Sequence, residues 1–229
     1  MEHVLDNPTW NALTTGNAQL ANGTGAVRYF LPEVSPFTGV EENTVENLLQ
    51  LHDQLPFSSP IGFVTETEID LPASWTLLNK LECFQMVYSK EELPEEPVVP
   101  IVPLTEKDIP QMLALTKLTV PGPFAERTID FGHYTGIFAG DQLVAMAGQR
   151  MSPQPYAEIS AVCTHPDHLA KGYAKQLLNY QITRIKLAGE IPFLHVRNDN
   201  ERAIRVYESI GFVKRRVLHF HILVKTKAA

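Results

Sequence analysis

The sequence is poor in features that define several large protein classes. Its 229 residues include only 2 cysteines, Cys83 and Cys163, which are too few for a disulfide scaffold or a zinc cluster. No run approaches the ~18 consecutive apolar residues of a membrane-spanning helix. The first thirty residues lack the apolar segment of a secretory signal. We therefore expect a soluble, cytoplasmic protein with no membrane partner.

Basic side chains are scarce in the first part of the chain. Residues 1–97 contain 15 acidic and 3 basic side chains, whereas residues 98–229 contain 11 acidic and 16 basic ones, for a net charge of -7. The positive charge of the second part is too dispersed for a duplex DNA partner, so we expect no nucleic acid. It is sufficient for a phosphorylated cofactor.

Prolines at every third position separate the two parts. Pro94, Pro97, Pro100 and Pro103 match the ~3 residues per turn of a polyproline II segment. This spacing favours a stiff linker that runs into an edge strand. We predict a small acidic α/β module in residues 1–97 and a second domain in residues 98–229.

The second part contains a strand–helix–strand pattern. A strand over residues 156–164 precedes a helix that begins after Gly172 and stops at Gly189, and another strand covers residues 192–197. Such a helix implies two parallel strands joined by a right-handed crossover.

The first of these strands alternates in polarity. The alternation predicts Ile159, Ala161 and Cys163 on one face, with Glu158, Ser160 and Val162 on the other.

The loop before the helix has the features of a phosphate site. Lys171 and Lys175 are positive, and Gly172 and Ala174 are small enough for a ligand to approach the backbone. Ligands of parallel sheets bind beyond the carboxyl ends of the strands, and the free N–H groups of a helix start favour an anion.

Two segments carry a family resemblance. Residues 169–174 resemble the Gln/Arg-x-x-Gly-x-Gly/Ala pyrophosphate motif of the GNAT superfamily of acyl-CoA-dependent N-acyltransferases. Residues 200–212 are similar to its Asn-x-x-Ala-x-x-x-Tyr-x-x-x-Gly-Phe segment, and the order is the same. The resemblance covers about residues 98–229. Residues 121–132 resemble the branch related to glycine N-acyltransferases, in which a half-domain precedes the catalytic domain.

The resemblance implies an α/β fold of the α+β type, with a mixed, mostly antiparallel sheet and a central parallel β-α-β crossover. It implies transfer of an acetyl group from acetyl-CoA to a primary amine, of a small molecule or a peptide, without a metal. The residues that it places against the cofactor are Val162, Cys163, Thr164, Leu169, Ala170, Lys171, Gly172, Tyr173, Ala174 and Asn200.

The chemistry of the transfer requires a proton acceptor and a proton donor, and the resemblance implies a candidate residue for each. An alkylamine with a pKa near ~10.4 must lose a proton to attack a thioester, and Glu158 is the candidate base. The leaving thiolate benefits from a proton donor, for which Tyr207 is the candidate. Three aromatic residues are candidates for an apolar acceptor pocket: Phe124, Phe131 and Tyr134.

Other interpretations remain open from the sequence. Leu169 stands where the motif has glutamine or arginine, and Ala170 where many members have glycine. A degenerate site that senses acyl-CoA without turnover is therefore one alternative, and a protein-interaction role for the acidic first part is another. His165 and His168 have no acidic or cysteine partner in the sequence, so we expect no metal site there. The sequence leaves the oligomeric state open.

Overall fold

The computed structural model describes residues 3–226 as an alternation of strands and helices. The helices are α1 (Pro8–Thr14), α2 (Val45–Gln54), α3 (Ile109–Thr119), α4 (Tyr173–Leu187) and α5 (Glu201–Ile210). The strands are β1 (Val27–Tyr29), β2 (Phe37–Val40), β3 (Ile61–Thr65), β4 (Trp75–Tyr88), β5 (Val102–Pro103), β6 (Thr135–Ala139), β7 (Gln142–Gln149), β8 (Tyr156–Thr164), β9 (Ile191–Arg197) and β10 (Phe212–Lys225).

These strands form one ten-stranded sheet in the order β1-β2-β3-β10-β4-β9-β8-β7-β6-β5. Two neighbouring pairs are parallel, β2 with β3 and β8 with β9, and the other pairs are antiparallel. Helix α4 connects β8 to β9. The predicted mixed, mostly antiparallel sheet with a parallel β-α-β crossover is thus confirmed.

Strands from the two parts of the chain interleave in this sheet. Strand β4 precedes the linker, yet it lies between β9 and β10, with Phe84 opposite both Val196 and Val217. Strand β10 in turn lies between β3 and β4. The boundary predicted at residue 97 stays a prediction, but residues 1–97 do not pack as a separate layer.

Helices cover both faces of the sheet. On one face, Leu178 and Ile182 of α4 and Ile204 of α5 pack against strand residues that include Met86 and Leu194. Helix α2 packs on the same face further along the sheet. Helices α1 and α3 cover the opposite face. The faces therefore offer two distinct surroundings for a ligand.

Capping residues fix where the helices begin and end. The Asn200 side chain accepts a hydrogen bond from the Ala203 N–H at 3.2 Å, which begins α5. Gly211 ends that helix in a left-handed conformation, with φ of 118°. Local capping chemistry therefore sets both ends of α5.

The proline-rich linker lies along helix α4. The Gln176 side chain accepts hydrogen bonds from the N–H groups of Val98 and Val99 at 2.9 and 3.1 Å. The linker then enters the edge strand β5, as its prolines predict. Among residues 3–226, no helix is both long and apolar enough to cross a lipid bilayer.

Because β4 lies in the interior of the sheet, the fragment 98–229 should not fold alone. It would lose the strand that joins β9 to β10 and expose an edge of each. We expect no cooperative thermal unfolding of this fragment by circular dichroism. A full-length protein cut once after Glu96 is the control and should unfold cooperatively, because both pieces remain in the sheet. A stable isolated fragment would contradict the structural dependence on β4.

Candidate active site

Strands β8 and β9 are paired along only part of their length. The pairing joins Tyr156, Ala157 and Glu158 of β8 to residues 191–193 of β9. Beyond Glu158 no pairing between the two strands occurs within the described residues, although both continue for several positions. The backbone edge of β8 that faces β9 is therefore open to a ligand from Ile159 onward.

A β-bulge lies next to this opening. Met146 of β7 is opposite Cys163 and Gly148 is opposite Ser160, so β8 contains one residue more than β7 in this interval. Ala161 has a left-handed φ of 53°, which is unusual for a residue other than glycine. Backbone strain of this kind is concentrated at functional sites.

The bulge corrects the predicted alternation of β8. Ile159 packs against the helices α4 and α5, whereas Ala161 and Cys163 pack on the opposite face of the sheet. The prediction that these three residues share a face is wrong, because the extra residue reverses the alternation. Val162 consequently faces the helices and forms a wall of the opening.

A cavity of about 360 Å³ occupies the space between β8, α4 and α5. All ten residues predicted to contact the cofactor line it, and so does Tyr207. Six further residues line the cavity, and of these the sequence indicates only Lys175, as a positive charge near the loop: His168, Lys175, Leu178, Arg202, Ala203 and Val206. The last three lie on the same helix as Tyr207, so helical periodicity around Tyr207 was the available signal.

The start of α4 presents unpaired backbone donors to this cavity. Within the described chain, the N–H groups of residues 170–175 form no hydrogen bond, and the ladder begins with Gln176 N–H donating to Gly172 C=O at 3.2 Å. Ala170 and Gly172 have left-handed φ values of 60° and 76°. Successive N–H groups in such conformations form a concave anion site.

Cationic side chains surround the same backbone. Lys171, Lys175 and Arg202 all line the cavity. The Lys171 ammonium also lies 3.3 Å from Nδ1 of His168. The cationic side chains and the positive end of the α4 dipole both attract an anion, so this end of the cavity is suited to a pyrophosphate.

Tyr207 supplies a hydroxyl to the other part of the cavity wall. Burial raises the pKa of Tyr207 to about 12, so its hydroxyl is protonated at neutral pH. The described residues offer this hydroxyl no hydrogen-bond partner, whereas the ring packs on Phe212 with centroids 6.1 Å apart. The packing holds the ring in place, and its hydroxyl is protonated without an internal hydrogen-bond partner.

Glu158 lies outside the cavity and is 1% exposed. Its carboxylate accepts hydrogen bonds from Nε and Nη2 of Arg150 at 3.0 and 2.6 Å, and from the Met151 N–H at 3.3 Å. Nδ1 of His195 lies 2.8 Å from the same carboxylate. These contacts occupy the lone pairs that a general base would need.

The charge of Glu158 is correspondingly fixed. Burial alone would raise its pKa, but Arg150 and His195 overcome this effect and hold the pKa well below its usual range. A carboxylate this acidic is a poor acceptor for an amine proton. The geometry therefore gives no support to the base role of Glu158, which stays a prediction.

A hydrogen-bonded chain extends from Glu158 to the N-terminal segment. Nε2 of His195 lies 3.1 Å from the side-chain nitrogen of Gln85, which also donates to the Leu5 carbonyl at 2.9 Å. Arg215 donates to the Gln85 oxygen at 2.9 Å and pairs with Asp6 at 2.5 Å. This series of hydrogen bonds connects β4, β8, β9 and β10 next to the opening between β8 and β9.

The aromatic residues predicted for the acceptor are not in the cavity. Phe131 and Tyr134 are buried, and Phe124 is partly buried, in the cluster on the opposite face of the sheet. Phe124 packs edge-on against Tyr134, with ring centroids 5.6 Å apart. Their acceptor role stays a prediction, and in this structure they act as core residues.

Cys163 offers its backbone rather than its thiol. Burial raises the pKa of the Cys163 thiol to about 11, so the nucleophilic thiolate is scarce at neutral pH.

Within residues 3–226, no group of three or more His, Cys, Asp or Glu residues is arranged to hold a metal ion.

Comparisons with known proteins agree with this geometry. The family described as FR47-like protein matches residues 134–220. A structure described as an acetyltransferase from the GNAT family of Novosphingobium aromaticivorans is 33% identical, covers 99% of this chain and 100% of its own, and has a TM-score of 0.91. The chain therefore belongs to the GNAT family of acetyltransferases.

Two further relatives are more distant. N-alpha-acetyltransferase RimI of Mycobacterium tuberculosis is 32% identical over 84 residues, or 35% of this chain. The matched part spans about half of that protein, 51% of its length. A GCN5-related N-acetyltransferase from Kribbella flavida is 13% identical, with a TM-score of 0.60 over 93% of this chain and 95% of its own, and shows the shared fold.

The substitution Glu158→Gln should destabilise the protein strongly. It leaves the Arg150 guanidinium buried without its charge partner, which typically costs about 3–5 kcal/mol of unfolding free energy. Because the pKa of Glu158 is lowered on folding, its contribution is complete above the unfolded pKa of about 4.5 and is lost as the pH falls toward the folded value. Urea unfolding at pH 7 and at pH 3 measures both effects.

The matched control is Glu201→Gln, which breaks the exposed pair with Arg205, where Nη1 and Oε2 are 3.1 Å apart. We expect a change below ~1 kcal/mol for this control. A stable Glu158→Gln variant that loses turnover selectively would restore the catalytic interpretation of Glu158.

Proposed function

We propose that this protein transfers an acetyl group from acetyl-CoA to a primary amine. The observation that carries the proposal is the coincidence, in one cavity, of an anion-binding helix start, an unpaired strand edge and a protonated tyrosine hydroxyl. A binding protein for a phosphorylated ligand would need only the first of these features. An acyltransferase uses all three.

The cavity residues divide by the part of the cofactor that they would hold. The N–H groups of residues 170–175, with Lys171 and Arg202, would bind the pyrophosphate. The open backbone edge of Val162, Cys163 and Thr164 would pair with the amide groups of the pantetheine arm. These contacts are mainly to the backbone, so the departures at Leu169 and Ala170 leave them intact.

Acetyl-CoA supplies the acetyl group as a thioester. The amine nitrogen forms a bond to the carbonyl carbon, the carbon–sulfur bond breaks, and coenzyme A leaves with the electron pair on sulfur. Tyr207 donates its proton to this sulfur and is reprotonated from solvent. The transfer is direct, in a complex that contains both substrates, so no nucleophilic side chain is required.

The amine must also lose a proton. Since the Glu158 lone pairs are occupied, we assign this proton to water rather than to Glu158. Activity should therefore rise with pH as the neutral fraction of the amine increases, toward an alkylamine pKa of about 10.

The acceptor is a small molecule or a peptide that carries the amine. The name of the RimI relative, an N-alpha-acetyltransferase, is consistent with a peptide. The segment 121–132 instead favours the glycine N-acyltransferase branch.

Release of free thiol from acetyl-CoA, measured across amino acids, polyamines and peptides, separates these classes of acceptor. Coenzyme A binding with no release for any amine would favour the alternative of an acyl-CoA sensor.

The substitution Gly172→Asp should weaken coenzyme A binding. An added Cβ meets no atom within 4 Å, so the variant has room for its side chain. The new carboxylate would stand beside the pyrophosphate, and a repulsion on the order of 3 kcal/mol at ~5 Å corresponds, after screening, to a loss of about 10- to 100-fold in affinity. Titration calorimetry measures this loss.

Gly172→Ala is the control for backbone strain, because φ at this position is 76° and alanine is at least as strained there as aspartate. We expect the alanine variant to retain most of the affinity. Equal losses in the two variants would place the pyrophosphate elsewhere.

The substitution Tyr207→Phe should reduce kcat by about 10²- to 10⁴-fold, the usual contribution of a general acid. The ring and its packing on Phe212 remain, so coenzyme A affinity should change little. Steady-state kinetics with the best amine of the panel, together with calorimetry, measure both quantities.

Tyr180→Phe removes a tyrosine hydroxyl from α4 outside the cavity and serves as the matched control. It should leave kcat unchanged. Full activity in the Tyr207→Phe enzyme would exclude Tyr207 as the proton donor.

A further inference from the structure

Gln85 of β4 is a buried amide whose polar atoms all have partners. Its oxygen accepts a hydrogen bond from Nη1 of Arg215 at 2.9 Å, and its nitrogen donates to the Leu5 carbonyl at 2.9 Å. The same nitrogen lies 3.1 Å from Nε2 of His195. An amide nitrogen has two hydrogens, so one serves Leu5 and the other is left for His195.

These contacts fix which end of the amide faces His195. If the oxygen and the nitrogen of Gln85 exchanged places, two oxygens would meet at the Leu5 carbonyl and two donors would meet at Arg215. The nitrogen of Gln85 is therefore the group that donates to His195. It follows that Nε2 of His195 carries a lone pair and no hydrogen.

The protonation state of His195 follows from this contact. With a lone pair on Nε2, the ring hydrogen lies on Nδ1, which donates to Oε1 of Glu158 at 2.8 Å. A second ring hydrogen on Nε2 would meet the N–H of Gln85, which is held by Leu5 and Arg215. His195 is therefore a neutral imidazole, although histidine is the side chain that ordinarily changes charge between pH 5 and 8.

The charges next to His195 agree with a neutral ring. The His195 side chain is 3% exposed, and the ion pair of Arg150 and Glu158 beside it has no net charge. An imidazolium would add a buried positive charge that lacks a counterion of its own.

The other charged or titratable groups around His195 are neutral or paired. Burial raises the pKa of Cys83 of β4 to about 11, so this thiol is uncharged. Two further arginines face the same region, and each has a carboxylate partner: Arg215 of β10 with Asp6, and Arg197 of β9 with Asp199. The ring of Phe220 of β10, with its centroid 5.2 Å from that of His195, completes the surroundings.

His195 lies where the reacting end of the cofactor would arrive. It is two residues beyond Phe193, the last residue of β9 that is paired with β8, so it stands at the closed end of the opening. The pyrophosphate is assigned above to residues 170–175 and the pantetheine arm to residues 162–164. The cofactor would therefore run down β8 toward Glu158, and its acetyl group would meet the amine near His195.

We propose, on the basis of the proposed function, that Gln85 is a positioning residue for the acetyl transfer. It keeps His195 neutral and directed at Glu158, so no additional positive charge stands beside the attacking amine. The amine nitrogen becomes positive as it bonds to the carbonyl carbon, and an imidazolium nearby would oppose this step. Gln85 acts only through His195, and Leu5 and Arg215 hold its amide in place.

The substitution Gln85→Glu tests this role, because a carboxylate accepts a hydrogen bond where the amide donates one. His195 should then carry both ring hydrogens at about pH 7. Nitrogen-15 NMR of the full chain distinguishes neutral from doubly protonated imidazole, and a His195→Gln protein assigns the signals. In the wild-type protein, the neutral form with its hydrogen on Nδ1 should persist from about pH 5.5 to 8.

Kinetics and calorimetry separate positioning from a structural effect. With the best amine of the panel, kcat of Gln85→Glu should fall about 3- to 10-fold, the effect of one screened charge. Coenzyme A affinity should stay within about twofold, because its proposed contacts at residues 162–175 do not involve Gln85. The matched control is Gln142→Glu, which adds the same charge at an exposed position of β7 and should change neither quantity.

A second variant covers the case in which Gln85→Glu does not fold. Arg215 is 19% exposed, and Asp6 keeps a second partner in Arg216, with Nη1 and Oδ1 3.1 Å apart. Arg215→Met should therefore fold. It leaves the amide of Gln85 held by Leu5 alone, so doubly protonated His195 should appear at about pH 5.5 and kcat should fall there relative to the control.

The outcomes distinguish this role from the proposed function. A hydrogen on Nε2 in the wild-type protein, or a His195 that stays neutral in the folded variants, would overturn the role of Gln85. Doubly protonated His195 with unchanged kcat would also overturn it, while the proposed function stands. Wild-type protein that binds no coenzyme A would instead contradict the proposed function.

Discussion

The incomplete pairing of β8 and β9 is the constraint on which the candidate site depends. At the last paired position, Glu158 is bonded to Arg150 from the end of β7 and to His195 from β9. This buried cluster holds the lower halves of the strands together. Three residues further along β8, the β-bulge at Ala161 changes the direction of the strand. The strand edge that faces β9 is unpaired there. The site needs both the pairing of β8 with β9 up to Glu158 and their separation beyond it. Only together do these features form a wedge-shaped opening whose closed end is held in a fixed position.

The position of β4 explains why the wedge stays open on its other side. Strand β9 pairs with β4 over residues 83–87, and β4 pairs along almost its whole length with β10. Strand β9 is thus held by a long neighbour and cannot move toward β8 without breaking that ladder. The first part of the chain therefore contributes to the candidate site without lining its cavity, and Gln85 of β4 supports His195 directly.

Local signals in the sequence located most of the site, and long-range pairing was beyond them. Gly172 and Asn200 mark helix starts by local chemistry, and the family resemblance of the segments around them predicts the residues that contact the cofactor. The bulge at Ala161 has no such signature, since alanine does not signal a left-handed φ. The partner of Glu158 lies across a hairpin, and the sequence shows only that both residues are charged. The insertion of β4 between β9 and β10 is a matter of strand order in the sheet, which strand patterns alone do not specify.

The departures from the family motif bear on activity through the backbone. Ala170 stands where glycine is frequent and adopts a φ of 60°, so the chain accepts the strain of a left-handed alanine, on the order of 1 kcal/mol, to keep the loop conformation. The N–H groups of residues 170–175 remain directed away from any internal partner despite that strain. Leu169 adds no charge, but Lys171, Lys175 and Arg202 supply it nearby. An anion site retained at a cost in strain argues for binding, and the partly buried, protonated Tyr207 beside it is a feature that binding alone does not require.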